Sequence, residues 1–493
     1  MGAPTVKDAA DLGAEAHRLE AELQGRQQQA VDPAKVQAEL AAAAEHAAAG
    51  RRQEAVDVLL ALEKQGRVAE DISATRQAVT ALLKMLYEAR DWKQLQEYVV
   101  LLSKRRSQLK QAVQSMVRQC MGYIPDTPDK ETRVELIKTL QALTEGKIYV
   151  EIERARLTRQ LARMKEEEGD IAEAAEILQE VAVETFGAMA KTEKIAYILE
   201  QVRLCLDRKD YVRAQILSKK VSPRAFVPQP EGAKKGETTG EIGIEGTAIE
   251  EAEEGTPSLE ALKLQYYALM IRFYQHEATW LEVCRCYRAV YDTPSIQEEA
   301  ARWQDVLKKI VWYVVLAPKG VEQATLLATT AADKKLSDLP AYEALLKKFT
   351  GKEVLWWKHV EQEYADEMAA QADVFGGEDG AKRRADFRLR VIEHNLQIIG
   401  GYYSRITLAR LAQMLDLTAD EAEKHLSDLV VGGSLAAKID RPAGVIRFSH
   451  RTGPSEALNA WSGSIGKLLV LVEKTCQQIQ KESMVHRVPI GTA

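Results

Sequence analysis

The chain has 493 residues, of which 46% are apolar and 28% charged, with 67 Lys and Arg against 73 Asp and Glu for a net charge of −6. That length exceeds what one hydrophobic core serves, so several domains or an extended repeat array is expected, and 29 Gly with 14 Pro is a globular rather than a disordered or fibrous composition. The longest apolar run, Ile310 to Ala317, falls far short of the roughly 20 residues that cross a bilayer.

Met1-Gly2-Ala3-Pro4 leads into polar residues with no apolar signal segment, and Val6 stands where a myristoylation motif needs Ser or Thr, so a cytosolic start is expected. The cysteines at 120, 205, 284, 286 and 476 form an odd set without C-x-x-C, which reads as free thiols in a reducing compartment. Cys284 and Cys286 are two apart on a helix, face different ways and cannot share a metal.

Residues 1–34 read as a helical or flexible segment, and 35–372 as helix after helix, with apolar residues three and four apart and short breaks between segments. Gly50-Arg51, Asp91-Trp92, Gly169-Asp170 and Asp210-Tyr211 each open a similar amphipathic helix, and Asp129 fills the gap, so the period is near forty residues. Thr279-Trp280 comes late by the length of 228–257. That segment is rich in Gly, Glu and Thr, nearly without large apolar side chains, and is expected to be a disordered acidic insertion. A period near forty with two helices per unit is the signature of a TPR- or HEAT-like α-solenoid.

The stretch 373–382, beginning Asp373-Val374-Phe375-Gly376-Gly377, reads as a flexible acidic linker, and 383–452 has a different grammar. Leu389, Ile392, Leu396, Ile399 and Tyr403 stripe one helix that should stop at Gly400-Gly401. Arg405-Ile406-Thr407 reads as a short strand, and Leu408, Leu411, Met414 and Leu415 as a second helix. Thr418 and Glu421 form a capping box for a third helix, closed by Gly432-Gly433. Ala436 to Ile439 and Val445 to Phe448 flank a Pro/Gly hairpin loop, and helix, strand, helix, helix, strand, strand is the order of a winged helix. Residues 453–493 make one long helix and tail, with Leu458, Trp461, Ile465, Leu468, Val472, Cys476 and Ile479 as a near-heptad seam that wants a partner.

Catalytic spacings are missing: no complete phosphate loop, no His-Glu-x-x-His, no Gly-x-Ser-x-Gly, and eight scattered histidines. No enzyme activity, catalytic residue, metal or cofactor is expected. A winged helix can place its third helix in a DNA groove, but here that helix carries Asp420, Glu421, Glu423 and Asp428 against Lys424, which repels phosphate. Lys438, Arg441, Arg447 and Arg451 on the wing read as a solvated rim. The pairs Trp356-Trp357 and Tyr266-Tyr267 read as one core and one rim residue each, and His394 as a hydrogen-bonded core residue.

Local segments carry a resemblance. Gly169-Asp170 with Glu173 to Glu180, Tyr197 to Leu206, Tyr287-Arg288-Ala289-Val290-Tyr291-Asp292-Thr293-Pro294, Glu393-His394-Asn395, Tyr403 to Thr407 and Ala437 to Gly444 are similar to the PCI-domain subunits of the proteasome regulatory-particle lid. The resemblance covers nearly everything after residue 35, and the 228–257 insertion departs from it. It implies a non-catalytic scaffold in cytoplasm and nucleus that supports lid assembly and ubiquitin-dependent degradation. Its implied partners are other PCI and MPN lid subunits, with the ATPase ring and core particle, and neither nucleic acid nor membrane. Winged helices of this family join edge to edge and terminal helices gather in a bundle. On this chain the strand Val445, Ile446, Arg447 and Phe448 is therefore the expected edge for sheet extension, and the terminal seam the expected bundle helix. A COP9 signalosome subunit shares the plan, and a winged-helix nucleic-acid adaptor is the alternative from another class.

Overall fold

The computed structural model describes residues 32–226, 251–253, 255–449 and 454–486. The chain divides into two compact units, Met1–Phe273 and Tyr274–Ala493. No helix among the described residues is long and apolar enough to cross a membrane.

The first unit is a run of antiparallel helices, among them Arg52–Val68, Ile72–Glu88, Trp92–Ser103, Lys110–Tyr123, Lys130–Thr144, Glu151–Glu167, Ile171–Gln179, Lys191–Asp207 and Tyr211–Ser218. One turn recurs. At Glu70-Asp71, Arg90-Asp91, Gly169-Asp170 and Lys209-Asp210, a residue with positive φ ends one helix and the following Asp caps the next. The Asp side chain accepts from a backbone N–H of the new first turn, as Asp170 does from Glu173 at 3.0 Å. Its own N–H closes the old helix, as Asp210 does on the Cys205 carbonyl at 2.8 Å. Each break thus satisfies both helix ends within two residues, which keeps the connections short.

The forty-residue period reappears as ion pairs between successive repeats. Buried Glu153 accepts from Arg118 at 2.7 Å, and buried Glu193 is held by both ends of the Arg156 fork at 2.8 and 2.9 Å. Glu200 accepts from Arg159 at 2.6 Å and Arg163 at 3.1 Å, and Glu63 from Arg67 and Arg105. Partners on neighbouring repeats stand 35 to 42 residues apart. A buried carboxylate without its arginine would cost several kcal/mol, so these pairs fix which repeat follows which. Apolar side chains such as Leu82, Leu95, Val117, Leu136 and Leu157 form one core through the repeats.

Residues 1–31 and most of the 228–257 insertion lie outside the described residues, and with them the expectations of a flexible N-terminus and a disordered insertion. The end of the insertion is described: Arg156 reaches the Glu251 carbonyl at 3.4 Å, and Arg159 pairs with Glu253 at 3.9 Å.

The second unit is organised around Trp312, fully buried on the helix Ala300–Leu316. Tyr342, Tyr364, Phe375 and Phe387 all meet its ring edge to face, at centroid distances of 6.0, 6.2, 4.9 and 5.6 Å. Phe375 comes from the segment 373–382 expected to be a flexible linker, and that expectation is corrected by the structure. Residues Ala372–Phe375 and Gly377–Tyr402 are helical, with Val374 and Phe375 buried. The Arg383 guanidinium donates to the carbonyls of Asp373 and Val374, and Asp373 accepts from Lys309 at 2.7 Å. The acidic composition suggested a solvated strand of chain, whereas the buried side chains of Val374 and Phe375 and the paired Asp373 pin it down.

The helix Gly377–Tyr402 leads the winged helix and is buried on two sides. Ile392, Leu396 and Ile399 enter the winged-helix core, while Phe387 faces Trp312. It does not stop at Gly400-Gly401. A Cβ on Gly400 would lie 2.8 Å from Leu435 Cδ1 and 3.3 Å from Phe448 Cδ1, so the glycine serves a close approach of helix to sheet. Leu408–Leu415 and Ala419–Val431 follow, the latter with both bonds of the Thr418/Glu421 capping box and Gly433 at φ +72° beyond its end.

Three strands complete the module: β1 (Arg405–Thr407), β2 (Ala437–Asp440) and β3 (Val445–Phe448), in spatial order β1-β3-β2, all antiparallel. The expected edge strand is therefore the centre of the sheet. Val445, Ile446 and Phe448 make β3 the most apolar of the three and all are buried, whereas β2 alternates half-buried and exposed. The open edges belong to β1 and β2.

Asn395 and His394 show why the leading helix is held so firmly. The Asn395 amide accepts from the Leu355 N–H at 2.8 Å and donates to the Leu355 carbonyl at 2.7 Å, replacing a strand partner for that loop. His394 is buried beside it, with Lys319 Nζ donating to its Nδ1 at 3.5 Å. Burial, and then the Lys319 charge, push the imidazole down to about 4, so it is neutral in the fold. Its contribution to stability is full above the unfolded value of about 6.5 and is lost as pH falls from there toward 4. His394→Gln should remove up to about 3 kcal/mol of that acid sensitivity, read as the difference between the pH profiles of the urea midpoints of variant and parent. Trp312→Ala should cost about 3–5 kcal/mol, while Trp356→Ala, 52% exposed, should change the melting temperature little.

Candidate interaction surfaces

Two parts of the second unit present groups that the fold leaves unsatisfied. The first is the terminal helix Pro454–His486, 33 residues and about 50 Å long. From residue 457 to 486 every position is exposed except half-buried Ser483. Leu458, Trp461, Ile465, Leu468, Val472, Cys476 and Ile479 thus stand in solvent together, as a seam without a partner among the described residues. Leu469, Val470 and Leu471 are exposed as well, at 62%, 53% and 61%. Five consecutive apolar residues turn through more than a full circle of helix, so the middle of this helix is apolar on every side. A single seam was too narrow a reading; the run Leu468-Leu469-Val470-Leu471-Val472 calls for neighbours around the helix, as inside a bundle.

The second is the winged-helix sheet. Among the described residues β2 has no neighbour beyond it, so its outward N–H and C=O groups remain open to another strand, and the outer side of β1 is open in the same way. The solvent-facing side chains of the sheet are strongly basic, a point missed in reading the wing as a scattered rim. Arg405 on β1 had not been counted with it, and only the register brings it beside Arg447. Arg451 lies outside the described residues.

Reactive chemistry is not gathered anywhere comparable. Cys120, Cys284 and Cys286 are buried, and desolvation pushes each thiol up to about 12, so none is a thiolate at neutral pH. Cys284 donates weakly to the Ile310 carbonyl at 3.9 Å. Among the described residues no group of His, Cys, Asp and Glu could hold a metal ion. A groove of about 460 Å³ in the first unit is lined by Leu40, Ala43, Leu59, Ala81 and Met85, with Arg52, Lys84 and Glu88 its charged residues. Tyr266 is buried and Tyr267 half-buried, with Phe226 against the former at 5.5 Å. Trp357, half-buried, packs on Phe387 while Trp356 is exposed, so the tyrosine pair divides into core and rim and the tryptophan pair into a half-buried and an exposed ring.

Residues 54–234 and 248–299 match the PSMD12/CSN4 N-terminal family, 364–450 match the PCI domain, and 455–487 match the 26S proteasome regulatory subunit RPN5 C-terminal domain. The N-terminal match skips 235–247, within the acidic insertion. The chain is 53% identical over 438 residues to the 26S proteasome non-ATPase regulatory subunit 12 homolog A of Arabidopsis thaliana, covering 89% of this chain and 98% of that one. It is 40% identical over 444 residues to the subunit 12 of Dictyostelium discoideum, covering 90% and 92%. The 26S proteasome regulatory subunit RPN5 of Saccharomyces cerevisiae is 37% identical over 434 residues, covering 88% and 91%. Solenoid, winged helix and terminal helix are each matched in their own place, and the chain belongs to the family of 26S proteasome non-ATPase regulatory subunit 12.

Proposed function

We propose that this chain is a non-catalytic scaffold subunit of the proteasome regulatory-particle lid, acting in ubiquitin-dependent protein degradation by holding other subunits together. The observation that carries the reading is the terminal helix, whose apolar residues are exposed on all sides. Exposed apolar surface on that scale marks an interaction site, and a bundle of helices from other subunits is what would cover it. The open edge of β2, Ala437–Asp440, is the surface for edge-to-edge contact with a neighbouring PCI sheet, in place of the central strand β3. Other PCI and MPN subunits are the partners this implies, with the ATPase ring and core particle reached by the solenoid, in cytoplasm and nucleus. A scaffold role agrees with the buried, protonated thiols and scattered histidines. The sister signalosome complex is the weaker reading, because the relatives quoted above carry proteasome names over 88–90% of this chain, and residues 455–487 of the terminal helix match the RPN5 C-terminal domain.

Replacing Leu468 and Val472 with Asp places two charges in the middle of the apolar belt. The double variant should lose co-sedimentation with partner lid subunits while its far-ultraviolet dichroism and thermal transition stay those of the parent, since neither side chain is packed within the chain. Normal co-sedimentation of that variant would refute the bundle role.

A further inference from the structure

The outer face of the three-stranded sheet carries a row of three cations. The register sets Arg405 opposite Arg447, and Lys438 opposite Arg447 from the other side. With strands about 4.8 Å apart, three positive side chains stand abreast over roughly 10 Å. All three are exposed, while Ile406, Ile446 and Ile439, one residue along each strand, turn into the core. The wing's other described cation, Arg441, is paired with Glu423 at 2.6 Å. Among the described residues none of the three in the row has a carboxylate at ion-pair distance. The next row on the same face holds Thr407, Val445 and Asp440, and the Asp440 carboxylate accepts from the Ala443 N–H at 3.3 Å in the wing loop.

Like charges placed directly opposite one another destabilise a sheet, so the fold gains nothing from this row. The solenoid behaves differently: its arginines are spent on carboxylates of the next repeat. We propose that this face docks an acidic helix of a partner protein, laid across the strands so that carboxylates at i, i+4 and i+7 meet Arg405, Arg447 and Lys438. Neighbouring side chains on one helix face are about 5–6 Å apart, close to the step between strands. An extended acidic peptide running along the strands repeats its same-face side chains along the strand direction and would meet only one cation of the row. Nucleic acid fits worse, because the adjacent third helix exposes Asp420, Glu421 and Asp428 toward solvent, and its phosphates must be neutralised, not repelled. Arginine at two of the three positions suits two-pronged binding of carboxylates.

The docking face is separate from the terminal helix and from the open strand edges, so it can be tested on the full-length chain alone. The probe is a fluorescein-labelled, alanine-based helical peptide of about 18 residues with glutamates at i, i+4 and i+7. Its control has the same composition with the glutamates spread around the helix. In fluorescence anisotropy at low salt the parent should bind the aligned peptide, and the variant R405S/K438S/R447S should bind it about tenfold more weakly, with an unchanged or higher melting temperature. Should that variant melt early, Arg405→Ser alone carries the test, with an expected loss of about threefold. Equal affinity of parent and variant would overturn the proposal, as would equal binding of the control peptide. Tighter binding of an oligouridine RNA than of the aligned peptide would also overturn it, and would assign the face to nucleic acid.

Discussion

Everything in the second unit depends on the burial of Trp312. Its indole is surrounded edge to face by rings from four separate segments: Tyr342, Tyr364, Phe375 and Phe387. Edge-to-face pairs add about 0.5–1.5 kcal/mol each beyond the area they bury, and an indole ring at such a crossing cannot turn without displacing all four. The consequence is mechanical. The helix leading the winged helix is held to the last solenoid helices through Phe387, Arg383 reinforces the joint from the carbonyls of Asp373 and Val374, and its guanidinium lies over Trp280 at 5.5 Å. Within the second unit the winged helix therefore follows directly on a packed joint and not on a solvated linker.

Periodicity in the solenoid was legible because the same local problem is solved at each repeat. At four of the breaks one helix ends and another starts within two residues, and a residue tolerating positive φ followed by Asp does both. Gly169-Asp170 declares itself, while Arg90-Asp91 and Lys209-Asp210 do so only through the Asp, since nothing in an Arg or Lys announces a left-handed backbone. The cross-repeat ion pairs were not legible at all. Glu153 and Glu193 look like any other acidic residues on a charged helix, and only the packing of successive repeats shows that each is buried against an arginine one period away.

The winged helix shows the complementary limit. Its elements followed from capping boxes, hairpin loops and apolar stripes, which are local signals, and all were found close to their expected positions. Strand order is a non-local property. Nothing local says whether Arg405–Thr407 joins the hairpin at Ala437–Asp440 or at Val445–Phe448, and the choice falls to the strand with the more apolar inner face. The same gap hid the cation row, because Arg405 and Arg447 are 42 residues apart in the chain (447 − 405) and meet only through the register. The 373–382 segment failed for the opposite reason. Its composition spoke loudly, but two residues, Val374 and Phe375, decide its structure by what they bury against.

The distribution of unsatisfied groups then separates the roles of the two ends. The described solenoid leaves only scattered apolar side chains such as Val68, Ile148 and Val212 exposed, and it pairs buried carboxylates such as Glu153 and Glu193 internally. The described residues from Arg405 onward are different: open strand edges, three cations without a carboxylate at ion-pair distance among the described residues, and a long helix whose apolar side chains face solvent. Burying a Leu, Ile, Val or Trp side chain is worth about 1.5–3 kcal/mol, and the terminal helix offers Leu458, Trp461, Ile465, Leu468 to Val472 and Ile479. Even after the loss of freedom on association, several such residues suffice to make assembly the favoured state of this helix. Among the described residues, then, it is the C-terminal end that leaves the most apolar surface and open backbone uncovered.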